Sequence, residues 1–257
     1  MSQRKVIAVI PARMGSSRFP GKPLAQILDL PMIEHVRRRV MLCKAIDEVV
    51  VATCDQEIVD TVREAGGKAV MTADSHERCT DRVAEAMQEL NGDIVVIVQG
   101  DEPLLMPIAL NHLVNPFTQD PTINCVNLIS KITTPEDLAD VDIVKAILAE
   151  TGDVMYFTRA AAPYQRVEGQ RPMFRQTGLS AFSHSFLTEF TALTPTQLEI
   201  IESVDFLRIL GHGYKIRASI YGNRTIGVDR PDDVLTVENE IRDNPEQSEI
   251  YNRIMVL

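Results

Sequence analysis

The stretch IAVIPARMGSSRFPGKPL, residues 7–24, runs from an unbroken apolar segment into a loop carrying Arg13, Arg18 and Lys22 among Gly15, Ser16, Ser17 and Gly21. An apolar run without polar alternation fits a strand buried on both faces, the signature of a parallel sheet covered by helices. The signature returns in IVVIV, residues 94–98, which leads into the charged loop QGDEP. Between the two lie PMIEHVRRRVMLCK, with Ile33, Val36, Val40 and Met41 at helical spacing, then the strand EVVVAT. The helix QEIVDTVREAG follows, closed by Gly66 and Gly67, then the short strand KAVMT and the helix DRVAEAMQEL. Strands alternating with helices predict an α/β fold, a mostly parallel sheet flanked by helices.

The second half is less regular. TINCVNLIS reads as a strand, VDIVKAILAETGDVMYFTRA as two strands around a glycine turn, and residues 171–184 as a further strand. QLEIIESVDFLRILGHG reads as one helix, YKIRASIYG as a strand, and PDDVLTVENEIRDNP as a helix opened by Pro231. Residues 1–245 are expected to form one domain with a small mixed lobe over about 120–220. The remaining tail, 246–257, belongs to NPEQSEIYNRIMVL, which reads either as an amphipathic helix or as a frayed end.

Composition narrows the function. The 257 residues are 45% hydrophobic and 24% charged, with a formal net charge of −10. That balance argues against a general nucleic-acid or membrane-surface binder, which needs a basic face. It leaves room for a small anion held by a few cations in one cleft. Cys43, Cys54, Cys79 and Cys125 form no CxxC pair, and no histidine stands at metal-ligand spacing from them. Free thiols in a reducing compartment are the expectation. The first apolar run ends at Pro11, so neither a signal peptide nor a membrane span is expected, and the protein reads as cytoplasmic. His35, His112 and His212 read as helix-surface residues, the helix bearing Glu199, Glu202 and Asp205 as a solvated face, and His76 as a neighbour of a candidate binding loop.

In an open α/β sheet, ligands bind beyond the carboxyl ends of the strands, which is where the quoted loop sits. Serine and glycine expose backbone N–H groups that cradle phosphate oxygens, and Arg13 and Lys22 add charge. A solvated basic loop would account for the cations alone; the glycine and serine spacing after the first strand favours a polyphosphate. Neither GxxxxGK[ST] nor GxGxxG is present. A carboxylate at the end of a buried strand suits Mg²⁺, so Asp101 of QGDEP is a candidate ligand. Asp229 of GVDRP, by itself, reads as a helix N-cap. Together with the cationic loop, Asp101 and Asp229 make a nucleotide–metal site in which Mg²⁺ bridges the phosphates.

PARMGSSRFPGKPL, QGDEP and GVDRPDD together resemble the cytidylyltransferases that activate 3-deoxy-manno-octulosonate (Kdo) with CTP. HERCTDRVAEA, DVMYFTRAAAPY, FRQTGLSAF and LEIIESVDFLR follow in that family's order, so the likeness covers most of the chain. The resemblance implies a Rossmann-like nucleotidyltransferase fold, a homodimer, Mg²⁺, and transfer of CMP to an acidic sugar with release of pyrophosphate, for lipopolysaccharide or a related surface polysaccharide. It implies that Arg13, Lys22 and Asp101 are catalytic, with Arg13 and Lys22 on the triphosphate. It places Pro11, Ala12, Ser16, Thr80, Arg82 and Gln99 at the nucleotide, and Asp101 and Asp229 at the metal. It assigns Arg78, Arg159, Gln176, Ser180, Asp205 and Phe206 to the acid, within the mixed lobe and beside the nucleotide. Small-molecule substrates are its only other implied partners, with neither nucleic acid nor membrane.

The acid half departs from the family pattern. A His-Leu-Gly segment is here Gln176-Thr177-Gly178, a Glu-Gln pair is Asp205-Phe206, and a Ser-Gly pair is Arg78-Cys79. A less polar site gains little from a polyhydroxylated sugar. Kdo, its 8-amino analogue and a phosphonate acid such as phosphonoformate are therefore all carried as acceptors. A nucleotide-binding protein without turnover is the reading from another class.

Overall fold

β1 (Val6–Ala12) is buried along its whole length. The computed structural model describes residues 4–167, 173–222 and 226–257; residues 171 and 172, the start of one expected strand, lie outside them. The chain leaves β1 through the cationic loop, a 3-10 turn at Lys22–Leu24 and a two-residue hairpin of β2 (Gln26–Ile27) and β3 (Leu30–Pro31). Then α1 (Met32–Met41), β4 (Glu48–Thr53), α2 (Gln56–Glu64), β5 (Lys68–Met71), α3 (Cys79–Met87) and β6 (Ile94–Ile97) alternate as their periodicities predict. The four long strands pair in parallel in the order β6-β1-β4-β5. Val9 stands opposite Val50 on one side and Ile97 on the other. That register brings the carboxyl ends of β1 and β6 together, so the two chemically loaded loops leave the sheet side by side.

α4 (Pro107–Gln119) follows. Sequence analysis assigns it no element, because Pro107 and Pro116 punctuate it. Its buried Ala109, Leu110, Leu113, Val114 and Phe117 nevertheless recur at helical spacing. The chain divides inside α4 into two compact units, residues 1–111 with 225–257 and residues 112–224.

The second unit contains β7 (Cys125–Ile132), α5 (Pro135–Ala139), β8 (Lys145–Leu148), β9 (Val154–Thr158), β10 (Met173–Ser183), α6 (His184–Ala192), α7 (Gln197–Glu202), α8 (Phe206–Gly211) and β11 (Arg217–Ile220). β7 runs parallel to β11 and antiparallel to β10, and β8 is antiparallel to both β10 and β9, a mixed arrangement as expected. The helix expected over QLEIIESVDFLRILGHG is two helices. Ser203 adopts a left-handed φ of 51° and breaks it. The expected solvated face is also corrected: Glu199 is buried and forms a two-pronged ion pair with Arg208, at 2.6 and 2.8 Å. That pair ties α7 to α8 across the break.

α9 (Pro231–Asp243) and α10 (Pro245–Ile254) return to the first unit. Asp229 is not the N-cap of α9: Arg230 stands there, and the capping box is completed from the first turn by Asp233. Its carboxylate accepts the backbone N–H groups of Asp229 and Arg230, each at 2.8 Å, and these hold it below the usual carboxylate range. α10 buries Gln247, Ile250 and Ile254. His35 is a core residue, not a surface one: its Nε2 donates to the Ile27 carbonyl at 2.7 Å and its ring stacks on Tyr251. No helix among the described residues is long and apolar enough to cross a membrane.

Candidate active site

The loop after β1 is folded by its own backbone. The Met14 carbonyl accepts N–H groups from Ser16 and Gly21, both at 3.0 Å, and the Met14 N–H donates to Asp55 Oδ2 at 2.8 Å. Gly21 takes φ +74° before the 3-10 turn, a conformation that glycine adopts at little cost. The loop after β6 approaches closely: a Cβ on Gly100 would lie 3.0 Å from the Pro11 carbonyl oxygen. Between them opens a cleft of about 360 Å³ within the first unit, large enough for a nucleotide-sized ligand.

Pro11, Ala12, Arg13, Ser16 and Lys22 line the cleft from the first loop. Arg78 and Arg82 line it from the start of α3, and Gln99 and Asp101 from the end of β6. Thr80 is buried in α3 and does not line the cleft, and neither does Asp229. Arg18, His76 and Cys79 do; the sequence names Arg18 among the loop cations and His76 as a candidate beside the binding loop, and gives Cys79 no role of its own. Arg18 was visible in the cationic loop. His76 and Cys79 carried no spacing signal.

Two cation–carboxylate pairs organise the site. Lys22 Nζ donates to Asp101 Oδ2 at 2.7 Å and to the Val228 carbonyl at 2.9 Å, while the Asp101 carbonyl accepts the Val228 N–H at 2.9 Å. Arg18 reaches Asp229 Oδ1 at 3.1 Å. Both carboxylates already hold a positive group, one of them within an all-oxygen cradle. A pair of carboxylates completed by phosphate oxygens is the donor set that Mg²⁺ takes with nucleotides, so these residues fit that ion. Among the described residues no cluster of three or more metal-ligating side chains is present.

At the other end, Arg82 is buried. Its Nη1 donates to Thr72 Oγ1 at 2.5 Å and to the Ala73 carbonyl at 3.2 Å, and its Nη2 has no partner among the described residues. A buried donor left without an acceptor costs about 1–3 kcal/mol, so a cleft lined by it favours a ligand with acceptors to offer. Gln99 Nε2 lies 3.6 Å from Cys79 Sγ. His76 bonds Glu85, which also accepts the Ala73 N–H; these contacts hold Glu85 below the usual carboxylate range, the His76 bond most.

The remaining acid-site candidates belong to the second unit. Arg159 is held as a strut, with Nε on the Glu202 carbonyl at 2.8 Å and Nη1 on the Val141 carbonyl at 2.9 Å. Gln176 and Ser180 flank an irregularity in the β10 register; Gln176 is half-buried and Ser180 buried. Asp205 caps α8. Phe206 is buried edge-on against Phe157, Phe182 and Phe190.

The cytidylyltransferase family model matches residues 7–216. A 3-deoxy-manno-octulosonate cytidylyltransferase of Geobacter metallireducens is 37% identical over 248 residues, covering 92% of this chain and 98% of the relative. The protein of that name from Anaeromyxobacter sp. (strain K) is 42% identical over 234 residues, covering 90% and 95%. A solved structure of CMP:2-keto-3-deoxy-manno-octonic acid synthetase complexed with CTP superposes with a TM-score of 0.89 at 35% identity, over 93% of this chain and 99% of the other. A cytidylyltransferase from Leptospira borgpetersenii, at 19% identity and a TM-score of 0.64, shares the fold. Similarity of this extent, with the cationic loop and Asp101 assembled around one cleft, means that the chain belongs to the 3-deoxy-manno-octulosonate cytidylyltransferase family.

Proposed function

We propose that this cytidylyltransferase uses CTP and Mg²⁺ to activate Kdo, forming CMP-Kdo and pyrophosphate for lipopolysaccharide or a related polysaccharide. The observation that carries the reading is the convergence of Arg13, Lys22 and Asp101 on one cleft at the carboxyl ends of adjacent strands, with Lys22 paired to Asp101 at 2.7 Å. An oxygen of the acid forms a bond to the α-phosphorus as the bond to pyrophosphate breaks. No covalent enzyme intermediate is required, so catalysis consists of positioning and charge stabilisation. Arg13 binds phosphate oxygens in a fork and Lys22 as a point charge, and both meet the charge that builds on the leaving group. Ser16 and the backbone N–H groups of its loop orient the phosphates. Asp101 and Asp229 would hold the metal, which would supply neutralisation of phosphate charge. The open Nη2 of Arg82 reads an acceptor edge of the base, with Gln99 beside it and the Thr80 turn behind it.

Arg78, which lines the cleft, is proposed to add a cation for the acid beside the nucleotide, and Arg159, on the resemblance, to face the acid's carboxylate. Gln176, Ser180 and Asp205 are proposed for acid recognition on the resemblance, and the packing of Phe206 supports a role in shaping that region from behind. Whole-length likeness to Kdo enzymes favours Kdo over the 8-amino sugar and phosphonoformate. Retention of Arg13, Lys22 and Asp101 in the cleft favours turnover over mere binding. A homodimer is proposed as well; Met155, Tyr164, Ile200 and Ile201 are exposed apolar side chains of the second unit suited to cover by a second copy. Use of CTP and the free thiols of Cys43, Cys54, Cys79 and Cys125 support a cytoplasmic enzyme.

Pyrophosphate release with Mg²⁺, across CTP, UTP, ATP and GTP and with Kdo, 8-amino-Kdo and phosphonoformate as acceptors, tests the reading. Turnover is expected with CTP and Kdo. Turnover with another nucleotide or only with another acid, or CTP binding without turnover on any acid, overturns it.

A further inference from the structure

We propose that Gln247, in the C-terminal helix α10, is a positioning residue that fixes the loop carrying Asp101. The inference rests on the metal-binding reading of Asp101 given above.

Residues 102–106 leave Asp101 without forming a helix or strand, yet Leu104 and Leu105 are buried. Their carbonyls therefore lack ladder partners and must be satisfied by side chains. Gln247 Nε2 donates to the Leu104 carbonyl at 3.1 Å and contacts Met106 Sδ at 3.2 Å. Gln247 Oε1 accepts Arg39 Nη1 at 2.7 Å, and the same Nη1 reaches the Leu105 carbonyl at 3.3 Å. One amide thus grips the segment directly and orients a second donor onto it. On its other side Asp101 is stitched to Val228 and Lys22, so its backbone is held from both directions.

Packing alone does not account for this arrangement. Arg39 is fully buried and, among the described residues, has no carboxylate partner and no partner for Nε or Nη2. Burial lowers its pKa to about 10. An apolar residue at that position would be less costly to bury. What the Arg39–Gln247 pair supplies is hydrogen bonds to two carbonyls just beyond the catalytic carboxylate. A side chain argued to act this way shifts ligand affinity and local exchange, not global stability alone.

Gln247→Glu separates the two roles. A carboxylate keeps the acceptor for Arg39 and strengthens it by charge, but it has no donor for Leu104. The full-length variant is expected to keep its unfolding temperature. Amide exchange over residues 100–106 is expected to quicken, and CTP binding in Mg²⁺ by calorimetry, with no acid acceptor present, is expected to weaken about tenfold, the scale of one lost hydrogen bond. Gln247→Met, which loses both bonds at similar length, is expected to show the same weakening with a lower unfolding temperature. Asp101→Asn serves as the control: unchanged Mg²⁺-dependent CTP affinity in that variant overturns the metal reading itself. Wild-type CTP affinity in both Gln247 variants, alongside a weakened Asp101→Asn, overturns the positioning role. So does an unchanged exchange rate over 100–106 in Gln247→Glu.

Discussion

Acidification should unfold this protein through His35. The ring Nε2 must carry the proton that it gives to the Ile27 carbonyl at 2.7 Å, which leaves Nδ1 as the site of any second proton. Nδ1 is buried with no partner among the described residues. Burial is the main cause that lowers the pKa from 6.5 to about 4, and Arg39 and Arg38 lower it further. The unfolded chain therefore binds the proton first as the pH falls. Stability from the neutral ring is complete well above pH 6.5, declines through the window from 6.5 to 4, and is gone below it. A gap of about 2.5 units corresponds to about 3 kcal/mol in full, and to about 2 kcal/mol between pH 8 and pH 5. Urea unfolding of the wild type and of His35→Gln, at both pH values, measures it. Glutamine can donate to the same carbonyl and does not titrate. Glu48, Glu85 and Asp233, whose folded pKa values are lowered, lose their contribution at more acidic pH and do so equally in both proteins. The wild type should lose about 2 kcal/mol more than the variant. Equal losses would refute the argument that Nδ1 is held in a site hostile to charge.

Two further outcomes follow from buried polar groups. Arg82→Lys keeps the charge but not the fork, and should weaken CTP binding ten- to a hundredfold while narrowing the preference for CTP over UTP; calorimetry with each nucleotide checks this, and an unchanged preference would remove Arg82 from base reading. Glu199→Gln strands the buried Arg208 and should destabilise by about 3–5 kcal/mol, whereas Glu199→Leu combined with Arg208→Met should recover most of that loss. Chemical denaturation of the three proteins decides, and a single variant within about 1 kcal/mol of wild type would mean that the pair is solvated in solution.

The first unit was legible because its signals are local. Apolar runs at Ile7 and Ile94 and helical spacing at Ile33 and Ile58 each specify an element without help from distant residues. Parallel order then puts the loops after β1 and β6 side by side, which is why Arg13, Lys22, Gln99 and Asp101 were found together. The misreadings have long-range causes. His35 looks like a surface residue on its helix until Tyr251, 216 positions later, covers it. Glu199 looks solvated until Ser203 turns the chain and brings Arg208 onto it. α4 is hidden by its own prolines. Asp229 reads as a cap because spacing cannot tell which of two nearby aspartates turns back to the helix; the geometry gives that task to Asp233.

Ion pairing explains how a chain of net charge −10 supports a cationic cleft. Arg13, Arg18, Lys22, Arg78 and Arg82 converge on one small volume, and unscreened like charges at such spacing oppose folding. Asp101 and Asp229 offset two of them, at Lys22 and Arg18. Both pairs keep solvent contact: the Asp101 side chain is 37% exposed and that of Asp229 is 58% exposed. Pairs of that kind contribute little net stability, so separating them costs little when a stronger anion and a stronger cation arrive together. A nucleotide triphosphate with its metal supplies both at once, and each side of the cleft then exchanges a weak internal partner for a stronger external one. A free triphosphate alone would satisfy Lys22 and Arg18 but leave two carboxylates facing its phosphates. On the proposed metal reading, the pairs that steady this loop make Mg²⁺ a condition of tight nucleotide binding.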